Sequence, residues 1–571
     1  MKNQEVAGVF RYVASILEIK GENPFRIRAY EKAALNIENL TEDIATIAEK
    51  KELEKIPGIG KDLARKIEEI LTTGTFLQLE ELKKEIPPGL VEMLAVPGLG
   101  PKTAKLFYEK LKIATVDELE KMARSHKLHG LPGIKEKTEE NILKGIELFR
   151  QGKERSLLGA ILPLAHEIKE RLKKLPEVKQ ISEAGSVRRR KETIRDIDIL
   201  IISPDPQKIM EVFTTMPVVS NILAKGLTKS SIRTKEGIQV DLRVAEPDSF
   251  GAALSYFTGS KAHNIRIREM GVKRGLKINE YGVFRGEKRI GGKEEIEVYR
   301  AVGLPYIPPE LREDRGEIEA ALEGRLPRLV ERKDMKGDFH VHSRYSDGAG
   351  SLEDIAEKAK GIGLEWVGIC DHSQSLKIAG GVSVEKLKEK IKEIRKFNEK
   401  SHTVKLLCGT EVDIGNDGKL DYPDKILAEL DCVVAAIHAG FKQDEKTITR
   451  RIITAMHHPL VNMIAHPTGR LFGEREPYAV NVEKVLEEAK NTGTCLEINA
   501  YPKRLDLNDI YVRAAKERSV KLGIGTDAHI LDQMEYLDLG LAVARRGWLE
   551  KDDLLNTLMY EKLMKVLREK R

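Results

Sequence analysis

Residues 185–198 read Gly-Ser-Val-Arg-Arg-Arg-Lys-Glu-Thr-Ile-Arg-Asp-Ile-Asp, which predicts a turn followed by a β-strand in the middle of the chain. Side chains alternate between the two faces of a β-strand, so Asp196 and Asp198 share one face while the isoleucines pack behind them. A second alternating run, residues 240–243, adds the carboxylate of Asp241. Three such carboxylates suit two hard divalent ions, Mg²⁺ or Mn²⁺, in the arrangement that catalyses in-line phosphoryl displacement.

The residues just before this strand favour a nucleotide triphosphate as the ligand of those ions. Gly185 and Ser186 place a flexible turn and a hydroxyl about ten residues upstream of the aspartates, and arginines follow them. Arg189 can neutralise phosphate oxygens through charge-assisted hydrogen bonds. An Asp-x-Asp pair alone is common on solvated strands, so the prediction depends on the turn and the arginines beside it.

Three similar Pro-Gly turns lie in the first quarter of the chain, each before an amphipathic helical pattern: Ile56-Pro-Gly-Ile-Gly60, Val96-Pro-Gly-Leu-Gly100 and Leu131-Pro-Gly-Ile-Lys135. Such a turn presents unpaired N–H groups at the positive end of a helix, and its glycines let a DNA backbone approach. The alternative is ordinary helix-turn-helix packing. We expect residues 1–150 to be helical and to bind DNA largely independently of its sequence. The predicted DNA contacts are Gly58, Gly60, Gly98 and Gly100.

The pattern after residue 335 is a regular alternation of apolar strands and helical segments. The strand candidates are 338–342, 366–371, 404–412, 432–438, 461–465, 495–499 and 522–526. Repeated βα units of this kind predict a parallel sheet or a barrel.

Nine of the 13 histidines lie after residue 335, mostly where the predicted strands end. With neighbouring carboxylates they form a set of candidate metal ligands: His340, His342, Asp347, His372, Glu411, His438, His466, Asp527 and His529. In a barrel the carboxyl ends of the strands meet on one face, so we expect these side chains to converge there. Mixed His and carboxylate ligands suit Mn²⁺, Zn²⁺ or Fe better than Mg²⁺ alone, and nine ligands require two or three ions.

Other polar residues of this C-terminal part have less specific interpretations. Arg470 and Arg504 can hold a substrate phosphate, with surface ion pairing as the alternative. The remaining histidines, His402, His457 and His458, fit no ligand pattern and are expected on the surface.

Composition limits the classes of protein that remain. A chain of 571 residues is too long for one hydrophobic core and predicts roughly three to five folding units. A net charge of +6 is a mild basic bias that is compatible with nucleic acid binding. No stretch of about 18 apolar residues is present and the start lacks a signal-peptide pattern, so we expect a cytoplasmic protein without a membrane span. The four cysteines lie in apolar runs without a CxxC motif and are expected to be reduced core residues.

The central motifs resemble those of family X DNA polymerases, the group of DNA polymerase beta. The palm of that family carries GS…RR…DxD and a later Asp, matched here by Gly185, Ser186, Arg188, Arg189, Asp196, Asp198 and Asp241. A second family block is matched by Tyr256-Phe-Thr-Gly-Ser260 and the residues up to Arg268.

The resemblance implies roles in nucleotide binding for this second block. Tyr256 and Phe257 would bound the sugar and exclude a 2′-hydroxyl, with an ordinary aromatic core pair as the alternative. Gly259 belongs to the same turn, Asn264 would contact the base edge, and Arg268 would lie on the template side.

Residues 336–571 resemble the PHP (polymerase and histidinol phosphatase) family, with all nine ligand positions filled. The resemblance implies an active centre of up to three metal ions that hydrolyses phosphate esters. The N-terminal hairpin resembles the lyase domain of family X polymerases, in which a lysine at the position of Lys66 forms a Schiff base. Because Asp62 would oppose the lowered pKa that this chemistry needs, a phosphate-contacting role for Lys66 in DNA binding is favoured.

These arguments predict a multidomain protein with a helical N-terminal part, an α+β nucleotidyltransferase palm with a nucleotide-binding subdomain, and a C-terminal α/β distorted (βα)7-type PHP barrel. The predicted domains are 1–86, lyase-like with a helix-hairpin-helix; 87–155, a helix-hairpin-helix subdomain; 156–246, the palm; 247–318, the nucleotide-binding subdomain; 319–335, a linker; and 336–571, the PHP domain.

The predicted function is a gap-filling, repair-type DNA polymerase with a metal-dependent 3′→5′ exonuclease, and with abasic-site cleavage or removal of 3′ phosphates as further possibilities for the barrel. The expected partners are gapped or primer–template DNA and deoxynucleoside triphosphates, and the expected state is a monomer. Two alternatives stay open: a small-molecule phosphatase attached to an inactive DNA-binding half, and a non-catalytic scaffold for DNA ends. Intact Asp196, Asp198 and Asp241 argue against the first, and the metal ligands argue against the second.

Overall fold

The computed structural model describes residues 3–38, 40, 42–94, 96, 99–150, 155–401 and 403–570. They belong to two compact units, residues 1–154 and 155–571. Within the described part of the chain, no helix combines the length and the apolar character that a membrane crossing requires.

The first unit is helical, as the sequence predicts. Its helices are α1 (Asn3–Lys20), α2 (Pro24–Glu38), α3 (Ile44–Glu49), α4 (Lys61–Thr73), α5 (Leu77–Glu85), α6 (Pro88–Met93), α7 (Pro101–Leu111), α8 (Val116–Arg124) and α9 (Glu136–Arg150). Apolar side chains from successive helices, among them Phe10, Ile67 and Phe107, form one continuous core. Helices α4 and α7 begin directly after Gly60 and Gly100, at the predicted Pro-Gly turns.

The second unit starts with an α+β region. Its elements are β1 (Ser156–Leu157), α10 (Leu158–Lys173), β2 (Gln180–Glu183), α11 (Gly185–Arg188), β3 (Thr193–Ile194), β4 (Asp196–Ile202), α12 (Pro206–Thr214), β5 (Val219–Lys225), β6 (Lys229–Thr234) and β7 (Gln239–Val244). Five strands form a sheet in the order β2-β4-β7-β6-β5, in which only β4 and β7 are parallel neighbours. Helices α10 and α12 bury one face of this sheet, which leaves the aspartates of β4 on the other face.

A smaller region follows the palm sheet. It contains α13 (Phe250–Thr258), α14 (Lys261–Val272), β8 (Lys277–Asn279), β9 (Gly282–Arg285), β10 (Lys288–Gly291), α15 (Glu295–Ala301) and α16 (Glu317–Leu322). Its three strands form an antiparallel sheet in the order β10-β9-β8.

The segment predicted as a linker, 319–335, is packed in the structure. Leu329 and Val330 are buried, and the Val330 N–H donates to the carbonyl of Leu549 over 3.0 Å. The charge and the proline of this segment suggest a solvated chain, but its apolar side chains cover the adjoining C-terminal region and hold it there.

The C-terminal region is a parallel barrel. Its elements are β11 (Gly337–Val341), α17 (Leu352–Gly361), β12 (Trp366–Ile369), α18 (Val384–Lys400), β13 (Lys405–Asp413), α19 (Asp424–Leu427), β14 (Cys432–Ala436), α20 (Glu445–Met456), β15 (Met463–Ile464), α21 (Val482–Thr492), β16 (Cys495–Asn499), α22 (Asp509–Glu517), β17 (Leu522–Gly525), α23 (Leu537–Arg546) and α24 (Tyr560–Glu569). The seven strands pair in chain order and every pair is parallel.

The first and last strands of this sheet nearly close the barrel. Asp527 N–H donates to the carbonyl of His340, and His342 N–H donates to the carbonyl of Ala528, both over 2.8 Å. All four cysteines are buried in this region. The seven strands lie where the sequence predicts them, because each is a short apolar run bounded by a helical segment.

Short 3₁₀ turns connect several of these elements. They are Leu53–Lys55, Pro247–Ser249, Pro309–Leu311, Arg332–Asp334, Lys377–Ala379, Leu531–Tyr536, Lys551–Asp553 and Leu555–Thr557.

Candidate active sites

The predicted carboxylates of the palm lie on one face of its sheet. Strands β4 and β7 pair in parallel with Asp198 directly beside Asp241, and Asp196 precedes Asp198 by two residues. Burial, together with the charges of Asp196 and Asp241, raises the pKa of Asp198 to about 7. A site that concentrates negative charge in this way favours divalent cations, so the residues fit the predicted metals.

Asp241 is oriented by its own neighbours. Its carboxylate accepts a hydrogen bond from Gln239 Nε2 over 2.9 Å and pairs with Lys229 Nζ over 3.1 Å. Among the described residues, the groups of ligating side chains whose atoms come within 4.8 Å of one another lie in the barrel. The ligand atoms of the three palm aspartates are therefore not drawn together to that distance in this structure.

Gly185 lies immediately against Asp198. Its φ of 59° is in the left-handed region, and a Cβ at this position would be 2.3 Å from Asp198 Oδ2. The Ala184 N–H also donates to the carbonyl of Asp198 over 2.8 Å. Only glycine fits here, because any side chain would push the carboxylate out of place.

A cavity of about 490 Å³ opens over these aspartates. It is lined by Arg155, Gly185, Ser186, Arg189, Lys191, Arg195, Asp196, Asp198, Tyr256, Phe257, Gly259, Lys261, Asn264 and Arg268. All eight residues predicted to bind the nucleotide line this one cavity. Arg195, which directly precedes Asp196 and was expected to affect contact with the triphosphate, also lies on the wall. Three further cations of the wall, Arg155, Lys191 and Lys261, were not predicted, although the basic run 188–191 is a signal for one of them.

The aromatic pair of the cavity lies on its wall. Tyr256 and Phe257 are half-buried, and their rings meet edge to face with centroids 5.1 Å apart. Asn264 Nδ2 donates to the carbonyl of Tyr256 over 2.6 Å. This position favours contact with a ligand over the alternative of an ordinary core pair.

Glu411 is the centre of the second cluster, at the carboxyl ends of the barrel strands. Its two oxygens face five imidazoles. Oε1 lies 3.2 Å from His438 Nε2 and 2.8 Å from His466 Nε2. Oε2 lies 2.8 Å from His372 Nδ1, 3.5 Å from His340 Nε2 and 3.8 Å from His342 Nε2. A carboxylate enclosed by nitrogen ligands is suited to bridging metal ions.

The nine predicted ligands all belong to this cluster. Three groups bring their ligand atoms within 4.8 Å of one another: His342 with Asp347, His372 and His529; His340 with His342 and Asp527; and His372 with Glu411 and His438. The ninth ligand, His466, contacts Glu411. Three overlapping groups agree with the prediction of more than one ion.

Unsatisfied buried atoms in the cluster fit bound metal. His340 Nε2, His342 Nδ1, His372 Nδ1, Glu411 Oε2 and His466 Nδ1 are buried without a well-directed hydrogen bond, although His372 Nδ1 and Glu411 Oε2 lie 2.8 Å apart. Leaving five such atoms unpaired is costly in protein interiors, and coordination to cations would satisfy ligand atoms of this kind. The donor set of imidazoles and carboxylates suits Mn²⁺, Zn²⁺ or Fe.

Two outer carboxylates orient these imidazoles, and the sequence did not identify either. Glu497 Oε1 lies 2.7 Å from His340 Nδ1, and Asp413 Oδ1 lies 2.6 Å from His438 Nδ1. Although burial lowers the pKa of His438, Glu411 and Asp413 outweigh it and raise the value to about 10. Metal binding at His438 therefore displaces a proton. Glu497 lies in a predicted strand and Asp413 directly follows one, and this position near the strand ends was the only sequence feature that could have indicated their role.

The two arginines proposed to hold phosphate have different positions. Arg504 Nε lies 3.3 Å from Asp527 Oδ2, and its Nη1 is buried without a hydrogen-bond partner, so it is at the cluster. Arg470 instead donates to Glu192 Oε1 over 2.7 Å and stacks on Phe472. Its guanidinium is used inside the protein, and its long-range partner Glu192 was not apparent from sequence.

Two of the three remaining histidines of the C-terminal region lie apart from the cluster. His457 has a 60% exposed side chain and lies 3.1 Å from Glu488, and His458 lies 3.2 Å from Asp424. His402 lies outside the described residues.

Three of the four glycines predicted to contact DNA lie in described turns that lead into helices. Gly58 has a φ of 80°, and Gly60 and Gly100 precede the first residues of α4 and α7. Gly98 lies outside the described residues. Lys66 is only 8% exposed and donates to Asp62 and to the Tyr30 hydroxyl, so its ammonium points into the unit rather than toward a surface phosphate.

Family models match four parts of the chain. They are a helix-hairpin-helix domain at residues 1–76, a SAM-like helix-hairpin-helix tandem at 90–147, a DNA polymerase beta thumb at 253–313, and a PHP domain at 338–501. With the palm and the barrel described above, they define a polymerase of the beta type joined to a PHP domain. The chain belongs to the family X DNA polymerases that carry a C-terminal PHP domain.

A relative aligns along almost the whole chain. DNA polymerase/3′-5′ exonuclease PolX of Bacillus subtilis (strain 168) is 38% identical over 561 residues, which cover 97% of this chain and 97% of the relative. Shorter relatives are a probable phosphatase of Thermoanaerobacter sp. (strain X514), 30% identical over 41% of this chain and 95% of the relative, and one of Caldanaerobacter subterraneus subsp. tengcongensis, 29% identical over 41% and 91%. The predicted family is confirmed.

Proposed function

We propose that this chain is a DNA-directed, gap-filling DNA polymerase that also removes nucleotides from DNA 3′ ends with its barrel. The observation that carries the proposal is the cavity in which two palm aspartates and all eight nucleotide-binding candidates meet. The relative whose name combines the same two activities supports it, because it aligns over both sites. Each site is completed within one chain, which supports action as a monomer.

In the polymerase site, the residues of the cavity act on a deoxynucleoside triphosphate. Asp196, Asp198 and Asp241 would hold two Mg²⁺ or Mn²⁺ ions, which supply activation of the primer 3′-oxygen and stabilise the leaving pyrophosphate. The basic residues of the wall neutralise the triphosphate and Arg189 donates hydrogen bonds to it. Tyr256 and Phe257 bound the sugar.

In the barrel, the nine ligands would hold two or three ions of Mn²⁺, Zn²⁺ or Fe, which supply a nucleophile for phosphodiester hydrolysis. Arg504 holds the phosphate that is cut, since its guanidinium lies beside Asp527. Glu497 and Asp413 keep His340 and His438 in the orientation needed for coordination. In the first unit, the helix starts at Gly60 and Gly100 contact the DNA backbone.

The test separates the two sites with isosteric variants. A 5′-labelled primer on gapped DNA is assayed for extension with deoxynucleoside triphosphates, and for shortening without them in Mn²⁺. We expect Asp196→Asn with Asp198→Asn to lower extension at least about a hundredfold and to leave shortening intact, and Glu411→Gln to do the reverse.

Two exposed glutamates give matched controls. Glu236, in the turn between β6 and β7, and Glu357, on α17, are exposed and lie outside both sites, so Glu236→Gln and Glu357→Gln should behave as wild type. Shortening without extension by the wild type would show that the polymerase half is inactive and would refute the polymerase part of the proposal. If neither reaction occurs, the scaffold alternative is favoured and the proposal is refuted.

A further inference from the structure

A buried ion network joins the barrel to the nucleotide cavity. Arg546, the last residue of α23, has a 2% exposed side chain. Its Nη1 donates to the backbone carbonyl of Arg189 over 2.8 Å and to Glu313 Oε1 over 3.0 Å, and its Nη2 donates to Asp509 Oδ2 over 2.7 Å. The guanidinium of Arg546 thus contacts the cavity residue Arg189 in two ways, directly at its carbonyl and indirectly through the carboxylate of Glu313.

The side chain of Arg189 is held by the same carboxylate oxygen. Its Nε donates to Glu313 Oε1 over 3.0 Å, and its Nη1 donates to the carbonyl of Thr258. Its Nη2 makes no hydrogen bond to a described residue and is available to a ligand of the cavity. The hydrogen bonds of Nε and Nη1 therefore fix the direction in which Nη2 of Arg189 points.

The turn that follows Arg189 needs such support. Arg190 has a φ of 55°, in the left-handed region that residues with a side chain rarely adopt. The carbonyl that precedes Arg190 is the one that accepts from Arg546. The barrel thus holds both the backbone and the side chain of Arg189.

The carboxylate in this network is an anion. Burial alone would raise the pKa of Glu313, but Arg189 and Arg546 outweigh it and hold the value below its ordinary range. Lys191, another residue of the cavity wall, also lies 4.0 Å from Glu313 Oε2. Glu313 is thus the common partner of two cavity cations and of the barrel arginine.

We infer that Arg546 is a positioning residue for nucleotide binding, so that the barrel contributes to the polymerase site 357 residues away in sequence. This inference rests on the proposed polymerase function. It requires arginine in particular, because one planar fork reaches the carbonyl of Arg189, Glu313 and Asp509 together, whereas a lysine has a single compact ammonium group.

The test is single-nucleotide insertion into gapped DNA over a range of deoxynucleoside triphosphate concentrations. Arg546→Lys keeps the charge and loses the fork, and we expect it to raise KM about tenfold with little change in kcat, as for the loss of a charge-assisted hydrogen bond. Arg546→Met should raise KM at least as much. Asp509→Asn, which loosens Arg546 without contacting Arg189, should raise KM to a smaller extent.

The neighbouring Arg545 provides the matched control. It also joins the barrel to the segment before it, through Glu310 and the carbonyl of Val330, both over 2.8 Å, but it does not touch the cavity. Arg545→Lys should leave KM unchanged. Shortening of DNA in Mn²⁺ is measured for every variant to report on the fold of the barrel.

The kinetic pattern distinguishes positioning from a structural role. Partial unfolding removes active molecules, so it lowers kcat and shortening together and leaves KM unchanged. A KM for Arg546→Lys within about twofold of the wild type overturns the inference, whatever its kcat; if this variant does not fold, the KM of Asp509→Asn decides in the same way. A wild type that inserts no nucleotide refutes the proposed function instead.

Discussion

Replacing Gly185 by alanine should disable the polymerase site through one atom. The added Cβ would lie 2.3 Å from Asp198 Oδ2 and 3.2 Å from Asp198 Cγ. An ordinary contact would need roughly 1 Å more, so the carboxylate or the turn must move by about that distance. Displacement of a catalytic group by about 1 Å can lower the rate about a hundredfold. We therefore expect Gly185→Ala to lower kcat/KM for nucleotide insertion by about two orders of magnitude.

The conformational cost must be separated from this displacement. Gly185 has a φ of 59°, and an alanine there costs about 1 kcal/mol of folding free energy whatever it touches. Gly237, in the turn before β7, has a φ of 82°, and a Cβ added there would have no other atom within 4 Å, so Gly237→Ala carries the same cost without the contact. Both variants should lose similar thermal stability, but only Gly185→Ala should lose insertion.

The assay is single-turnover insertion on gapped DNA, with shortening in Mn²⁺ and thermal unfolding measured on the same preparations. Shortening should be unchanged in both variants, because a Cβ added at Gly185 meets Asp198, one added at Gly237 meets no other atom within 4 Å, and neither meets a ligand of the barrel. If Gly185→Ala inserts nucleotides as fast as Gly237→Ala, the contact with Asp198 has no catalytic importance and the assignment of the palm site is refuted.

Three other variants test individual contacts. The pKa of Asp198 is raised to about 7 in the folded protein, so the ionised carboxylate destabilises the fold above that pH and has no such effect below about pH 4. Asp198→Asn should therefore raise the melting temperature in EDTA more at about pH 8 than at about pH 5. Equal gains at the two pH values would contradict this. Glu497→Gln should weaken metal binding in the barrel about 10- to 100-fold, seen by titrating Mn²⁺ in the shortening assay, with insertion unaffected. Arg504→Met should raise KM for DNA in shortening about tenfold while the bound metal content, measured by elemental analysis, stays the same; loss of metal would show that Arg504 supports Asp527 instead.

Local rules were enough to predict much of both sites. Alternation along a strand placed Asp196 and Asp198 on one face, and the rule that parallel strands end on one face of a barrel placed His340, Glu411 and Asp527 together. Such predictions succeed because the period of a strand and the ends of βα units are properties of neighbouring residues.

Partners distant in the chain could not be predicted in this way. The sequence does not show that Glu497 orients His340 from 157 residues away, that Glu192 occupies Arg470, or that Lys66 turns inward to Tyr30. The contact of Arg546 with Arg189 is of the same kind. The residue pattern predicted the elements, the cluster of candidate ligands and the family. Which buried charges pair depends on the packing of the whole chain, because a charge removed from water must be matched by whichever opposite charge the packing brings within reach.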